Sequence, residues 1–172
     1  LFDLDLKNDD RILTIVLGGG TLMHWVNNNY LAKLNKPEVH IYDNDVSKYQ
    51  LAVDQVNQRE GSWATLTNML EVENYIHPRL FKEVYPIDDD FIDLVDGWEN
   101  EWKHKNIPKD LSIFLKELKA TGNNEIAGEG AGSIKRILSE KAAPLVTVED
   151  LRQLGAYEEV CGWFDRIKEN LQ

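Results

Sequence analysis

Three short β-rich apolar runs, spaced by stretches of helical length, constrain this chain most. Arg11-Ile-Leu-Thr-Ile-Val-Leu17 has the look of a strand buried on both faces. Glu38 to Tyr42 gives a second strand and Ser62 to Leu70 a third, in which Trp63, Thr65 and Thr67 alternate with Ala64 and Leu66. Between them, Leu22 to about Leu34 and Val46 to about Gln58 have helical spacing, the second through Val46, Tyr49, Leu51, Val53 and Val56. Strand–helix–strand–helix–strand is the order of an α/β domain with a parallel sheet and right-handed crossovers.

The rest of the chain reads as helical. Asp90 to about Lys105 places Phe91, Leu94, Val95, Trp98 and Trp102 at helical spacing, and Pro108 opens a further helix through Leu111, Phe114, Leu115 and Leu118. A glycine-rich loop, Gly122 to Gly132, precedes a helix from Ser133 to Glu140. Thr147-Val-Glu-Asp150 resembles a capping box, and a last helix covers Ala156 to Asn170. The expected division is an α/β core over residues 1–85 and a helical extension, 86–172, packed on it.

At 172 residues, with 42% hydrophobic residues and five tryptophans, the chain can bury a real core. No apolar run approaches the ~20 residues needed to span a bilayer. The start, Leu1-Phe-Asp-Leu-Asp-Leu-Lys7, lacks the basic region of a signal peptide and does not open on Met, as expected of a piece of a longer protein or a processed chain. A single cysteine, Cys161, excludes an internal disulfide framework and fits a reducing, cytoplasmic setting. The net charge of −11 repels nucleic acid at long range, so contact with a phosphate backbone requires a local basic patch or bound cations.

The strand Val39-His-Ile-Tyr42 runs into Asp43-Asn-Asp45. In extended chain, residues i and i+2 point the same way, so Asp43 and Asp45 aim two carboxylates at one place. Oxygen donors so arranged suit a hard cation such as Mg²⁺ or Mn²⁺. Glu71 and Glu73 repeat the spacing after the third strand. Gly18-Gly-Gly20 follows the first, where backbone N–H groups at a helix start can cradle a phosphate. Ligands of open parallel sheets sit beyond the carboxyl ends of the strands, where these three segments fall. Lys135, after the loop Gly128-Glu-Gly-Ala-Gly132, could reach a phosphate and offset charge during bond cleavage. Each residue also has a purely local reading: capping aspartates, a solvated glutamate loop, a tight glycine turn, a surface lysine. His24, His40, His77 and His104 show no metal-ligand spacing.

The strand ending at Gly18-Gly19, the Tyr42-Asp-Asn-Asp45 strand end and Leu70-Glu-Val-Glu-Asn-Tyr-Ile76 together resemble the TOPRIM domain of ATPase-linked nucleases of the overcoming-lysogenisation-defect (OLD) type. The similarity covers the first half of the chain. It implies a TOPRIM/Rossmann-like sheet flanked by helices and a Mg²⁺- or Mn²⁺-dependent endonuclease that hydrolyses nucleic acid, DNA more than RNA. It further implies an ATPase domain or subunit outside this chain and a role in defence against phage or plasmids. Carried over, Asp43, Asp45 and Glu73, with Glu71 beside them, are metal ligands, and Lys135 is the catalytic lysine. The family's first-strand glutamate falls at about Gly18, which is glycine here. Either Glu71 takes its part, or the domain is a degenerate module that binds nucleic acid or a partner subunit without cutting. A phosphatase using Asp43 as nucleophile is a third reading, against which Val46-Ser-Lys48 lacks the usual threonine.

Overall fold

A computed structural model of the chain describes residues 3–17, 20–85, 101–120 and 130–171. Two compact units make it up: residues 1–67 with 158–172, and residues 68–157. The expected break after residue 85 put Glu71 and Glu73 with the sheet, whereas these units place them among the helices.

The first unit holds a two-stranded parallel sheet, β1 (Val39–Tyr42) beside β2 (Trp63–Leu66), in the register Val39–Trp63 to Tyr42–Leu66. Helix α1 (Leu22–Asn28) precedes β1, and α2 (Tyr49–Val56) joins the strands. Leu22 and Val26 of α1 share one core with Tyr42 and Ala64 of the strands and with Tyr49, Ala52, Val53 and Val56 of α2. The four α2 residues recur at i, i+3, i+4 and i+7, one face of a helix. Leu51, expected on that face, is exposed.

Helix α1 stops six residues short of the expected Leu34. Asn29 adopts a left-handed backbone, φ 43° and ψ 54°, and its N–H donates to the carbonyls of Trp25 and Val26. Asparagine tolerates this conformation better than other non-glycine residues, so the Asn27–Asn29 run closes the helix. Thr21 precedes α1 without capping it through its side chain.

The expected first strand is not formed: residues 12–17 have no regular structure, and Leu13, Ile15 and Val16 are exposed. The third expected strand is confined to Trp63–Leu66. The α/β class therefore stands with a smaller sheet than the sequence pattern suggests.

The second unit is helical. Its elements are α3 (Phe81–Val84), α4 (Ile107–Ala120), α5 (Ala131–Ile137) and α6 (Val148–Gln153), with α5 running on into a π-helical turn over Leu138–Ala142. Asn106 Oδ1 accepts from Lys109 N–H at 3.0 Å, and Pro108 sits in the first turn of α4, where its missing N–H costs nothing. Ile107, Leu111 and Leu115 bury one face of α4, which packs against α5. Phe81 and Trp102 meet with ring centroids 6.0 Å apart. The capping box at α6 forms as expected: Thr147 N–H donates to Asp150 Oδ2 at 2.8 Å, and Asp150 N–H to Thr147 Oγ1 at 3.2 Å. Helix α7 (Tyr157–Glu169), the expected last helix, belongs almost wholly to the first unit. Of the expected helix from Asp90 to Lys105, residues 90–100 lie outside the described residues, as do residues 122–129 of the glycine-rich loop.

Candidate functional site

Strand β1 ends at Tyr42, so Asp43 and Asp45 stand in the turn leading to α2 and not in extended chain. The strand alternation that would aim both carboxylates together does not reach them. Asp43 is half-buried and Asp45 exposed. Gly18 and Gly19 lie outside the described residues. Gly20 is exposed, and a Cβ built there would meet nothing within 4 Å, so no close approach requires glycine.

Along one side of β1, residues i, i+2 and i+4 form a hydrogen-bonded chain. The Tyr42 hydroxyl lies 2.6 Å from His40 Nδ1, and His40 Nε2 lies 2.7 Å from Glu38 Oε2. With Nε2–H donating to the carboxylate, Nδ1 is left to accept from the tyrosine hydroxyl. Arg59 donates to Glu38 Oε2 at 3.2 Å and to the Val26 carbonyl at 2.6 Å. Burial pushes the Tyr42 phenol far above its ordinary range. The phenol therefore stays protonated, and the chain of bonds acts as an internal strut.

Glu71 and Glu73 lie at the start of a 3₁₀ turn, Val72–Tyr75, in the second unit. Their place after the third expected strand suggests a solvated or metal-facing loop, but both are buried, at 3% and 7% exposure. The fully buried Asn74 holds them there. Its Oδ1 accepts from Glu71 N–H at 3.0 Å, while its Nδ2 donates to the carbonyls of Trp102 at 2.6 Å and Lys105 at 3.0 Å. In return, Trp102 Nε1 donates to the Asn74 carbonyl at 2.6 Å, and Leu70 N–H to the Lys103 carbonyl at 2.7 Å. A buried amide with donors and acceptor all engaged fixes the backbone around it. Asn74 carried no signal in the sequence beyond a polar residue inside Leu70–Ile76, a run otherwise able to pack.

The ammonium that meets these glutamates comes from α5. Ile134, with no exposed surface, anchors that helix, and the next residue reaches back. Lys135 Nζ lies 3.0 Å from Glu71 Oε1 and 3.4 Å from Glu73 Oε2. Three residues singled out in the sequence thus come together, 64 positions separating Lys135 from Glu71. Two buried carboxylates face one ammonium whose side chain is 39% exposed. Glu73 Oε2 is buried and accepts no hydrogen bond, only the longer of the two ion-pair contacts. An oxygen in that condition has capacity for a cation.

Among the described residues, no group of three or more His, Cys, Asp or Glu side chains is placed to hold a metal ion. The acidic residues divide between the units: Asp43 and Asp45 stand in the turn after β1, while Glu71 and Glu73 share the Lys135 ammonium in the second unit. Mg²⁺ is commonly held by one or two carboxylates, with water and substrate phosphate completing its shell. Glu71 and Glu73, the latter with an under-satisfied buried oxygen, are hard oxygen donors of the kind such an ion takes.

A bidentate ion pair, missed in the sequence, joins Arg79 to Asp150. Its signal was present only as Asp150 of the capping box. Among the described residues, no helix is long and apolar enough to cross a membrane. Compared with family models, curated proteins and solved structures, the chain matches none.

Proposed function

We propose that this chain is a TOPRIM-like, metal-dependent nuclease domain that hydrolyses phosphodiester bonds of DNA within a larger ATPase-coupled protein of a defence system. The observation that carries this reading is the meeting of Lys135 with Glu71 and Glu73. It joins the two acidic positions of the E-V-E-N-Y segment to the lysine that the resemblance assigns to cleavage. The Asp43-Asn-Asp45 turn after a parallel strand adds two further carboxylates.

Asp43 and Asp45 would hold Mg²⁺ or Mn²⁺ through carboxylate oxygens, and so would Glu73 with Glu71. A divalent ion so bound supplies a polarised phosphate and a more acidic water. Lys135, partly exposed and already beside the carboxylates, offsets negative charge on the leaving oxygen. Asn74 keeps the glutamate backbone from shifting as charge changes around it.

A second reading has its own observation. Lys135 already supplies a counter-charge to Glu71 and Glu73, as a structural ion pair would, and glycine stands at position 18. A non-cutting module that binds nucleic acid or a partner subunit is consistent with both. Incubation with supercoiled plasmid and Mn²⁺ separates the readings. Nicking that vanishes in Asp43→Ala/Asp45→Ala and in Glu73→Gln supports the nuclease. No nicking with any divalent metal supports the module.

A further inference from the structure

One stretch of this acidic chain carries no acid. From Arg11 to Pro37 there is neither Asp nor Glu, although the whole chain holds 30 of them. From Leu22 onward the same stretch gathers ring-bearing residues and then lysines: His24, Trp25, Tyr30, Lys33 and Lys36. All but Trp25 are exposed. Glu38, the first acid after them, is engaged by Arg59 and His40.

Tyr30 is exposed yet held in place. The left-handed turn at Asn29 lays it back over the end of α1, where its ring centroid lies 5.4 Å from that of His24 and 5.3 Å from that of Trp25. The interplanar angles are 57° and 75°, so neither ring stacks flat on it, and the tyrosine stays 51% exposed. Its hydroxyl is also hydrogen-bonded to His24 Nε2. Asn28 fixes the sense of that bond. Asn28 Nδ2 donates to the His24 carbonyl at 2.7 Å and lies 3.1 Å from His24 Nδ1, so Nδ1 accepts from the same amide. Nε2–H then donates to the Tyr30 oxygen, which leaves the phenolic proton to point outward. An exposed tyrosine alone needs no explanation. One fixed by two rings and a relayed hydrogen bond has already given up the freedom that binding removes.

The lysines follow in a short loop. Ala32–Leu34 form a 3₁₀ turn, which Asn35 ends as a second left-handed residue, φ 46°. Lys33 lies within that turn and Lys36 just beyond it. Cations beside an open aromatic ring match a single nucleic-acid strand: the ring stacks a base while the ammoniums meet phosphates. In a duplex the bases are stacked on one another and closed to such a ring. An acidic peptide answers the lysines but brings no flat group for the tyrosine.

We propose that Tyr30, with Lys33 and Lys36, binds single-stranded nucleic acid, one base stacking on Tyr30 and phosphates meeting the two lysines. The choice of nucleic acid rests on the functional reading above. The surface itself uses neither the proposed metal ligands nor Lys135, and it needs no cutting.

Fluorescence anisotropy of a labelled thymidine oligonucleotide of about 15 nucleotides, with a metal chelator present, tests it. The intact chain should bind this strand, and should bind an abasic strand of equal length and a duplex more weakly. Tyr30→Ala should weaken binding of the thymidine strand roughly tenfold and leave the abasic strand unaffected. Tyr30→Phe, which keeps the ring, should lose far less. Lys33→Gln/Lys36→Gln should flatten the slope of log affinity against log salt by about 1.4 on both strands. Its thermal midpoint should match the wild type, since both lysines are exposed. Absence of binding, equal affinity for the thymidine and abasic strands, or an equal loss on both strands in Tyr30→Ala overturns the proposal. Asp43→Ala/Asp45→Ala and Glu73→Gln should bind the strand as the wild type does. Tyr30-dependent binding without nicking upholds this surface and overturns the nuclease reading; nicking without Tyr30-dependent binding does the reverse.

Discussion

Arg79 holds Asp150 with two parallel hydrogen bonds, Nε to Oδ1 at 2.5 Å and Nη2 to Oδ2 at 2.6 Å, across 71 positions of sequence. The Asp150 side chain is 3% exposed and that of Arg79 47%. The same carboxylate accepts from Thr147 N–H and Oγ1, so one side chain caps α6 and ties it to the Pro78–Leu80 turn. Arg79→Met leaves that carboxylate buried with only its cap partners. Allowing for the exposure of Arg79, the expected loss is about 1–3 kcal/mol, read from urea unfolding.

The Arg79 guanidinium, with the Thr147 donors, holds the Asp150 carboxyl well below the usual carboxylate range. A depressed acid contributes stability that is fully present above its unfolded pKa of ~3.9 and is lost as pH falls through the folded value. Wild-type protein should lose thermal stability steeply below about pH 4. Asp150→Asn should start lower at pH 7 and fall less steeply below pH 4.

His77 works in the same direction from another cause. Burial is the largest influence on it and lowers its pKa, and its Nδ1 accepts from Arg79 N–H at 3.2 Å. The fold therefore favours the neutral ring. Its contribution is complete above the unfolded pKa of ~6.5 and declines as pH drops through the lower folded value. Thermal midpoints at pH 7.5 and pH 5 should differ less in His77→Asn than in the wild type, because asparagine can keep the cap without titrating.

Asn57 replaces a neighbouring strand at Ala64, satisfying both backbone groups through one amide. Asn57→Asp keeps an acceptor for Ala64 N–H but sets a carboxylate against the Ala64 carbonyl. A loss of about 1–3 kcal/mol is expected, with the Ala64 amide exchanging faster than in the wild type.

How much of this could be read beforehand varies with the range of the force involved. The capping box at Thr147 and the helices ending the chain follow from local spacing, and they formed as expected. The helical face of α2 was legible except at Leu51, where Ala52 takes the inward position. Asn29 ended α1 early because one left-handed residue outweighs several with acceptable helix propensity. The failed strand at 12–17 shows the limit more sharply: β-propensity states what a segment can pair with, not whether it is paired. The burial of Glu71 and Glu73 was illegible for a related reason, since it depends on Asn74 bonding backbone near Trp102 and on Lys135 arriving from α5.

Lys135 provides a test that links stability to the proposed metal. Lys135→Met removes the ammonium facing two buried carboxylates, so the thermal midpoint should fall by roughly 4–8 °C per kcal/mol lost in a unit of this size. Millimolar Mn²⁺ should restore much of that loss in Lys135→Met, and none in Lys135→Met/Glu73→Gln. An equal fall with no response to any divalent ion would mark the pair as purely structural.

The most direct test of the functional account is titration of the metal-free chain with Mn²⁺, followed by electron paramagnetic resonance, with the plasmid-nicking assay run on the same samples. The account predicts saturable loss of the free-ion signal and nicking that tracks it, both diminished in Asp43→Ala/Asp45→Ala and in Glu73→Gln. Full binding and nicking that persist in both variants, or no bound Mn²⁺ in the wild type, would contradict it.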